Sequence, residues 1–317
     1  MAYYGTQLQR FGLAKEATRG TSESAPTKWY QTRGRAELNY ALQHLEDQGI
    51  RGISAKLPPL AGTKVGDGKI PLYCDAQMLG ELCYSLFGGV SSAQQAATVA
   101  YKHTFTRAAT ITPQSYTFFL DRNMNVLKYN NGVVKRLGFK SSVNGLIEVE
   151  ADVLFKSEAS GSIGSPTFPT QKYGSFQQVA VTIAGGASTD VKEWEVNIDN
   201  GAKPFRTLAG SQDVNDIVAP DPMTVDGSML VYFQNATERD KFIANTSVAL
   251  RFLVEGATIA STYKYTTDIN IYDARYKAFP YGEDEGLLAA QAQFEGFYST
   301  SDSKQVQIDL TNTDEEY

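Results

Sequence analysis

The chain has 317 residues, 27 of them glycine, with 18 tyrosines, 16 phenylalanines and a net charge of −6. That length buries a full core and is long for a single domain, and the composition is β-rich. The negative balance argues against a protein that grips nucleic acid, because phosphate contacts need Lys and Arg, although it leaves room for one that lets nucleic acid pass. No secretory signal opens the sequence and no run of about 18 apolar residues could span a membrane.

Residues Met1–Arg35 are polar and rich in small side chains, and read as an N-terminal arm ending in the aromatic pair Trp29-Tyr30. Ala36–His44 alternates, with Leu38, Tyr40, Leu42 and His44 on one side, the pattern of a half-buried strand. Ile50–Val65 carries Pro58-Pro59 and several glycines and reads as a long loop. Asp67–Cys74 (DGKIPLYC) is a strand after an Asp-Gly turn. Asp75 caps a helix whose Leu79, Leu82, Cys83 and Leu86 share one face. Cys74 and Cys83 are expected to be buried apolar residues rather than a disulfide. Gly88–Thr98 reads as a flexible connection. Strands follow at Tyr116–Asp121 and Val126–Phe139, around turns at Arg122-Asn123 and Asn130-Asn131-Gly132.

Gly145–Phe155 is a strand, and Lys156–Gly174 is a Ser/Gly/Pro-rich linker. Val179–Ile183 and Val191–Ile198 are further strands, and Ala202–Pro222 is a second long loop. Asp226–Gly256 then runs strand, helix, strand, with Asn235 as the helix cap. Tyr263–Ala278 and Leu287–Tyr298 are the last strands, and Thr311–Tyr317 is an acidic, mobile tail.

The chain repeats itself. Asp67–Cys74 and Asp226–Phe233 (DGSMLVYF) match in Asp-Gly and in Tyr73 and Tyr232, with Gly227 lying 159 residues after Gly68. A capped helix follows each. Phe118-Phe119-Leu120 answers Arg251-Phe252-Leu253, Gly145–Phe155 answers Gly286–Gly296, and Asp47-Gln48-Gly49 answers Asp199-Asn200-Gly201. Five landmarks in one order point to a duplicated domain. The alternative is one large β domain whose strands are alike.

No HExxH, CxxC, EF-hand, GxSxG, Walker or GxGxxG pattern occurs, only two histidines are present, and no pair of acids is singled out, so no enzyme, metal or cofactor is expected. The carboxylates that stand out are those on strands. Glu148, Glu150 and Asp152 share one face, with Ile147, Val149 and Val153 on the other. Glu193, Glu195 and Asn197 oppose Trp194 and Val196, and Gln291, Gln293 and Glu295 oppose Ala292 and Phe294. An ordinary solvated sheet has such a face; so does a sheet lining a channel through which an anion slides. Lys192 falls on the opposite face.

The stretch Gly12–Thr21 with Pro26 and Trp29, the strand Val191–Gly201 (VKEWEVNIDNG) and the strand-helix unit Gly227–Phe242 resemble the tail tube (major tail) proteins of long-tailed, siphovirus-type bacteriophages. The resemblance covers most of the chain in order. It implies a mainly β fold: tandem β-sandwich domains, each with a flanking helix, whose sheets join in the inner β-barrel of a ring. The corresponding boundaries are an arm at 1–35, a first domain at 36–157, a linker at 158–174 and a second domain at 175–317. It implies a non-enzymatic virion protein, assembled in the host cytoplasm, whose stacked rings form the conduit for double-stranded DNA. Its partners would be itself, as a trimer with pseudo-sixfold symmetry or else a hexamer, together with the tape-measure, tail terminator and distal tail proteins. The acidic strand faces become lumen candidates. Phe11, Lys15, Glu16, Trp29, Tyr30, Pro58, Pro59, Phe205 and Pro220, on the arm and the two long loops, become contacts between rings. The rivals are an inner-tube homologue of a contractile machine and a β-sandwich receptor- or carbohydrate-binding tail component, for which Tyr263, Tyr265, Tyr272 and Tyr276 would have to form one aromatic site.

Overall fold

The structure is a computed structural model that describes residues 8–47, 49, 52, 55, 57–208, 210–234 and 236–317. In chain order the first half holds β1 (Arg10–Lys15), β2 (Lys28–Tyr30), β3 (Glu37–Leu45), β4 (Leu60–Tyr73), α1 (Gly80–Phe87), β5 (Gly88–Gln94), β6 (Tyr101–Arg107), β7 (Tyr116–Asp121), β8 (Val126–Ser142), β9 (Glu148–Phe155) and β10 (Ser157–Ser160). The second half holds β11 (Val179–Ile183), β12 (Gly186–Ser188), β13 (Val191–Asp199), β14 (Lys203–Phe205), β15 (Asp216–Val218), β16 (Thr224–Tyr232), α2 (Thr237–Ile243), β17 (Val248–Ala260), β18 (Tyr263–Ala278), β19 (Tyr281–Asp284), β20 (Leu287–Phe297) and β21 (Val306–Asn312).

A long antiparallel sheet runs β3-β4-β9-β8-β13-β16-β20 and ends on β19 and the last residues of β18. The first residues of β8 belong instead to a second sheet, β2-β1-β7-β8-β10. Those of β18 belong to a third, β12-β11-β17-β18-β21-β6-β5. The pairing order is therefore β3-β4-β9-β8 in the first half and β13-β16-β20-β18 in the second. The outer sheets begin alike, with the hairpin β1-β2 beside β7 and β11-β12 beside β17.

The layers face each other as a sandwich. Tyr129 of the second sheet meets Phe155 of the long sheet with ring centroids 4.6 Å apart. Phe252 of the third sheet stacks on Trp194 at 4.7 Å and on Phe294 at 6.3 Å. Such pairs bury large apolar area and add packing geometry to it.

The Asn130-Asn131-Gly132 signal does not turn the chain. It marks the irregularity at which β8 passes from one sheet to the other. Asn131 adopts φ +49° and donates its N–H to Glu16 Oε1 at 2.7 Å. Gly132 lies under the ring of Phe118, where a Cβ would stand 2.4 Å from a ring carbon. An extra residue of this kind bends a strand and re-aims it.

From Arg10 to Tyr30 the expected N-terminal arm is part of the fold rather than separate from it. β1 pairs with β7 from Arg10–Asp121 to Lys15–Tyr116, and Phe11 packs on Tyr30 and Phe118. Glu16 is buried and accepts hydrogen bonds from Gly20 N, Ser115 Oγ, Thr117 Oγ1 and Asn131 N at 2.7–3.0 Å. One carboxylate thus pins β1, β7 and β8 together. Of Gly88–Thr98, read as a flexible connection, Gly88–Gln94 is a strand in a hairpin with β6.

α1 buries Leu82, Cys83, Leu86 and Phe87 and stops at Gly88, φ +75°. Cys74 and Cys83 are free and buried; burial pushes the Cys74 thiol up to about 12 and raises Cys83 further. α2 buries none of its residues, and the expected cap Asn235 lies outside the described residues.

The C-terminal tail is docked rather than mobile. The Tyr317 ring lies edge-on to His103 at 4.7 Å and over Gly80, where a Cβ would overlap it. Its hydroxyl donates to Asp314 Oδ2 at 2.9 Å and accepts from Asn312 Nδ2 at 2.6 Å. Lys28 Nζ bridges Glu81 at 3.1 Å and Asp314 at 2.7 Å. His103 contacts Ser92 Oγ through Nδ1, and Asn312 Oδ1 and the Asp314 carbonyl through Nε2. Burial lowers the His103 pKa below its ordinary 6.5, outweighing the opposite pull of Asn312 and Asp314. The unfolded chain therefore takes up the proton first. This contribution to stability is present above pH 6.5 and lost as pH falls through the lower folded value. Denaturant midpoints are expected to fall on acidification below 6.5, with a shallower fall in His103→Leu.

Candidate functional site: the open face of the long sheet

Strict alternation gives the long sheet one apolar and one open face. In β9, Val149, Ala151, Val153 and Phe155 are buried while Glu148, Glu150 and Asp152 are half-exposed. In β13, Trp194, Val196 and Ile198 are buried and Glu193, Glu195 and Asn197 face outward. In β20, Ala292 and Phe294 are buried and Gln291, Gln293 and Glu295 are not.

These three strands are not ladder partners of one another, yet their outward residues fall on one surface, because β8 joins β9 to β13 and β16 joins β13 to β20. Ladder partners run Glu150, Gly138, Asn197, Asp226, Glu295 in one row. The next row is Glu148, Lys140, Glu195, Ser228, Gln293. All nine lumen candidates lie on this face.

Cations interleave with them, and these were not singled out from sequence. Arg136 sends Nε to Asp152 Oδ2 at 2.7 Å, Nη2 to Glu150 Oε1 at 2.9 Å and Nη1 to Asn197 Oδ1 at 2.6 Å. Lys69 reaches Glu150 at 3.0 Å, and that hydrogen bond, then the Asp152 charge, raises its pKa. Arg33 pairs with Glu148 at 2.7 Å, and Lys277 pairs with Glu295.

The face is thus balanced over β4, β8 and β9. Over β13 and β16 the negative charge is less compensated: among the described residues, Glu195 accepts the amide of Asn197 at 3.0 Å and no cation. Burial raises the pKa of Asp226, and nearby Glu195 and Glu295 push the same way while Arg136 opposes.

Lys192 breaks the expected alternation. A register shift between Val191 and Glu193 makes it the extra residue of a bulge. Its ammonium reaches Asp284 at 2.5 Å and Glu285 at 2.9 Å and lies 5.9 Å from the ring centroid of Tyr232.

Of the ring-contact candidates, Phe11, Glu16, Trp29 and Tyr30 are interior, so they have no surface to offer a second copy. Lys15, Pro58, Pro59, Phe205 and Pro220 are exposed. Lys15 lies over the Tyr84 ring at 4.9 Å. The loop carrying Phe205 folds back on the first half, with Lys64 N donating to Gln212 O at 2.9 Å and Tyr40 bonded to Asp213. The four tyrosines of the binding-site rival do not form one surface. Tyr276 is buried and donates to Glu238 at 2.8 Å, whereas Tyr265 lies beneath Lys172.

What these features define is a β-structural protein whose long sheet has one apolar face, one charged open face and, among the described residues, a strand at each end with a single ladder partner. The family model for phage tail tube proteins matches residues 6–296, nearly the whole chain, and the chain belongs to that family. No curated protein matches it. It is a structural component of the phage tail.

Proposed function

We propose that copies of this chain close into rings and stack into the hollow tail tube of a siphovirus-type phage, with the open face of the long sheet lining the bore through which the genome passes. The observation that carries this reading is the gathering of all nine candidate polar residues of β9, β13 and β20 onto one face of a sheet whose end strands, among the described residues, have ladder partners on one side alone. An unpaired edge invites another strand, and a head-to-tail interface repeated around an axis gives a ring.

The same pairing order in the two halves supports a tandem arrangement of two tube-like units, closing as a trimer with pseudo-sixfold symmetry. The first unit takes in β1, β2 and β10 as well as residues 36–157, since β1 pairs with β7, β2 with β1, and β10 with β8. The tape-measure protein would occupy the bore, and terminator and distal tail proteins would meet the tube ends. DNA passes without base-specific contact, and the role is mechanical rather than catalytic.

Negative-stain electron microscopy of the purified protein, with end-on rotational analysis and mass per ring, tests this. Hollow stacked rings of three chains are expected. Rings of six would keep the tube and remove the tandem reading; isolated particles under all conditions would remove the tube reading itself.

A further inference from the structure

The joint between the two halves is visible inside the chain, and the repeat turns it into a template. Gly68 lies opposite Leu38 and Val153, and Gly227 lies opposite Val196 and Phe294. Matching these glycines aligns β4 with β16, β9 with β20, and Glu37-Leu38-Asn39 with Glu195-Val196-Asn197. It also aligns β8 with β18 followed by β19. Both carry a register shift at the same place, between Val134 and Arg136 and between Tyr276 and Ala278, and the extra residue is a lysine in each, Lys135 and Lys277.

Within the chain, β8 pairs with β13 from Arg136–Asp199 to Ser142–Glu193. The equivalent strands at the two ends of the long sheet are β3, whose ladder partner is β4, and β19, whose ladder partner is β20. We propose that Ala278–Asp284 of one copy pairs antiparallel with Arg35–Ala41 of a second copy, Asp284 opposite Arg35 and Ala278 opposite Ala41. This rests on the ring reading above and adds its register.

Three observations agree with that register. The first is backbone parity. Pro280 directs its carbonyl to Gln291 N at 3.1 Å, toward β20, so the backbone groups of Phe279, Tyr281 and Glu283 point to the free side. On β3, Ala36 N–H and C=O are held by the Gln9 side chain at 3.0 and 2.8 Å, and Leu38 C=O by Arg122 at 2.9 Å. Those outward groups fall opposite one another, Leu38 facing Tyr281 and Ala36 facing Glu283, as hydrogen-bonded pairs require. The missing N–H of Pro280 lies on the other side and interrupts nothing. Joining exchanges side-chain caps for ladder bonds.

The second is apolar continuity. Tyr281 is 52% exposed on the side of the buried Phe279. Opposite Leu38 it would repeat the packing of Phe139 opposite Val196 inside the chain. The third is charge, since Arg35 meets Asp284.

Disulfide cross-linking in assembled protein tests the register. Glu37→Cys with Gly282→Cys is an on-register pair not bridged by ladder hydrogen bonds, where Cα atoms stand about 4.5 Å apart, within disulfide reach. A Cβ at position 282 meets no atom within 4 Å, and Glu37 is exposed. Native Cys74 and Cys83 are buried and do not compete. Oxidation is expected to give covalent closed rings on a non-reducing gel, as is a second pair, Arg35→Cys with Asp284→Cys. Asn39→Cys with Gly282→Cys, displaced by two residues, is expected to stay uncrosslinked. Rings that cross-link only through the displaced pair, or through none, overturn the register and leave the ring standing. A wild-type protein that makes no rings overturns both.

Discussion

Glu16→Ala should destabilise the protein by about 3 kcal/mol or more, the range for stripping one partner from a buried, fully hydrogen-bonded charge network. The carboxylate takes four hydrogen bonds, two from side-chain hydroxyls and two from backbone N–H groups. The hydroxyls can turn to other partners; Asn131 N–H, fixed at a positive φ inside the sheet, cannot. Glu16→Gln keeps the shape but replaces one acceptor with a donor facing donors, so it should fall between. Urea unfolding is the measurement, with a lower midpoint at unchanged slope. A loss below about 0.5 kcal/mol, the scale of ordinary surface changes, would show that β8 holds its bend without this anchor.

The second large effect is functional. Glu193→Lys, Glu195→Lys, Gln291→Lys and Gln293→Lys together should leave rings and tubes intact and sharply reduce DNA ejection. These residues lie over the less compensated part of the open face, so the change disrupts few ion pairs. Duplex DNA carries one charge per about 1.7 Å, and a lysine-lined bore would hold it by many simultaneous phosphate contacts. Repulsion in the native face acts over about 8 Å at physiological salt, so the block should ease as salt rises. Normal ejection from intact variant tubes would place these residues away from the bore. Tubes that fail to form would assign them to an interface.

Much of this face was legible in the sequence because period-two alternation survives wherever a strand is regular. Glu148, Glu150 and Asp152, and Glu195 and Asn197, could be assigned to a side from spacing alone. The cations could not. In β8 the register shift sets Lys135 and Arg136 side by side, and at the start of β13 a bulge turns Lys192; one extra residue reverses every parity beyond it. By ladder position, Gly68 and the strand Gly145–Phe155 do correspond to Gly227 and Gly286–Gly296, as the sequence pattern had matched them. Asp47-Gln48-Gly49 does not: in the ladders Ala41, not Asp47, corresponds to Asp199. Nor does local pattern reveal that Phe11 pairs into a strand more than a hundred residues away, or that a polar, acidic tail ends on a half-buried tyrosine ring packed against the core. Burial of that kind is set by sheet topology, which lies outside any short window.

The docked tail has a consequence for the order of events on the ribosome. β21 supplies the neighbour of β6, and Asp314 and Tyr317 close over Lys28, Glu81 and Gly80. The face of the first-half helix at Gly80 and Glu81 therefore stays uncovered until residues 306–317 have been synthesised. At about 5–20 residues per second, that leaves the N-terminal sheets waiting many seconds for their final layer. Contacts this distant in sequence also form slowly once the chain is free. A truncated or stalled product would present an incomplete first half, so in the proposed tube completion of the fold would act as a checkpoint on which molecules join.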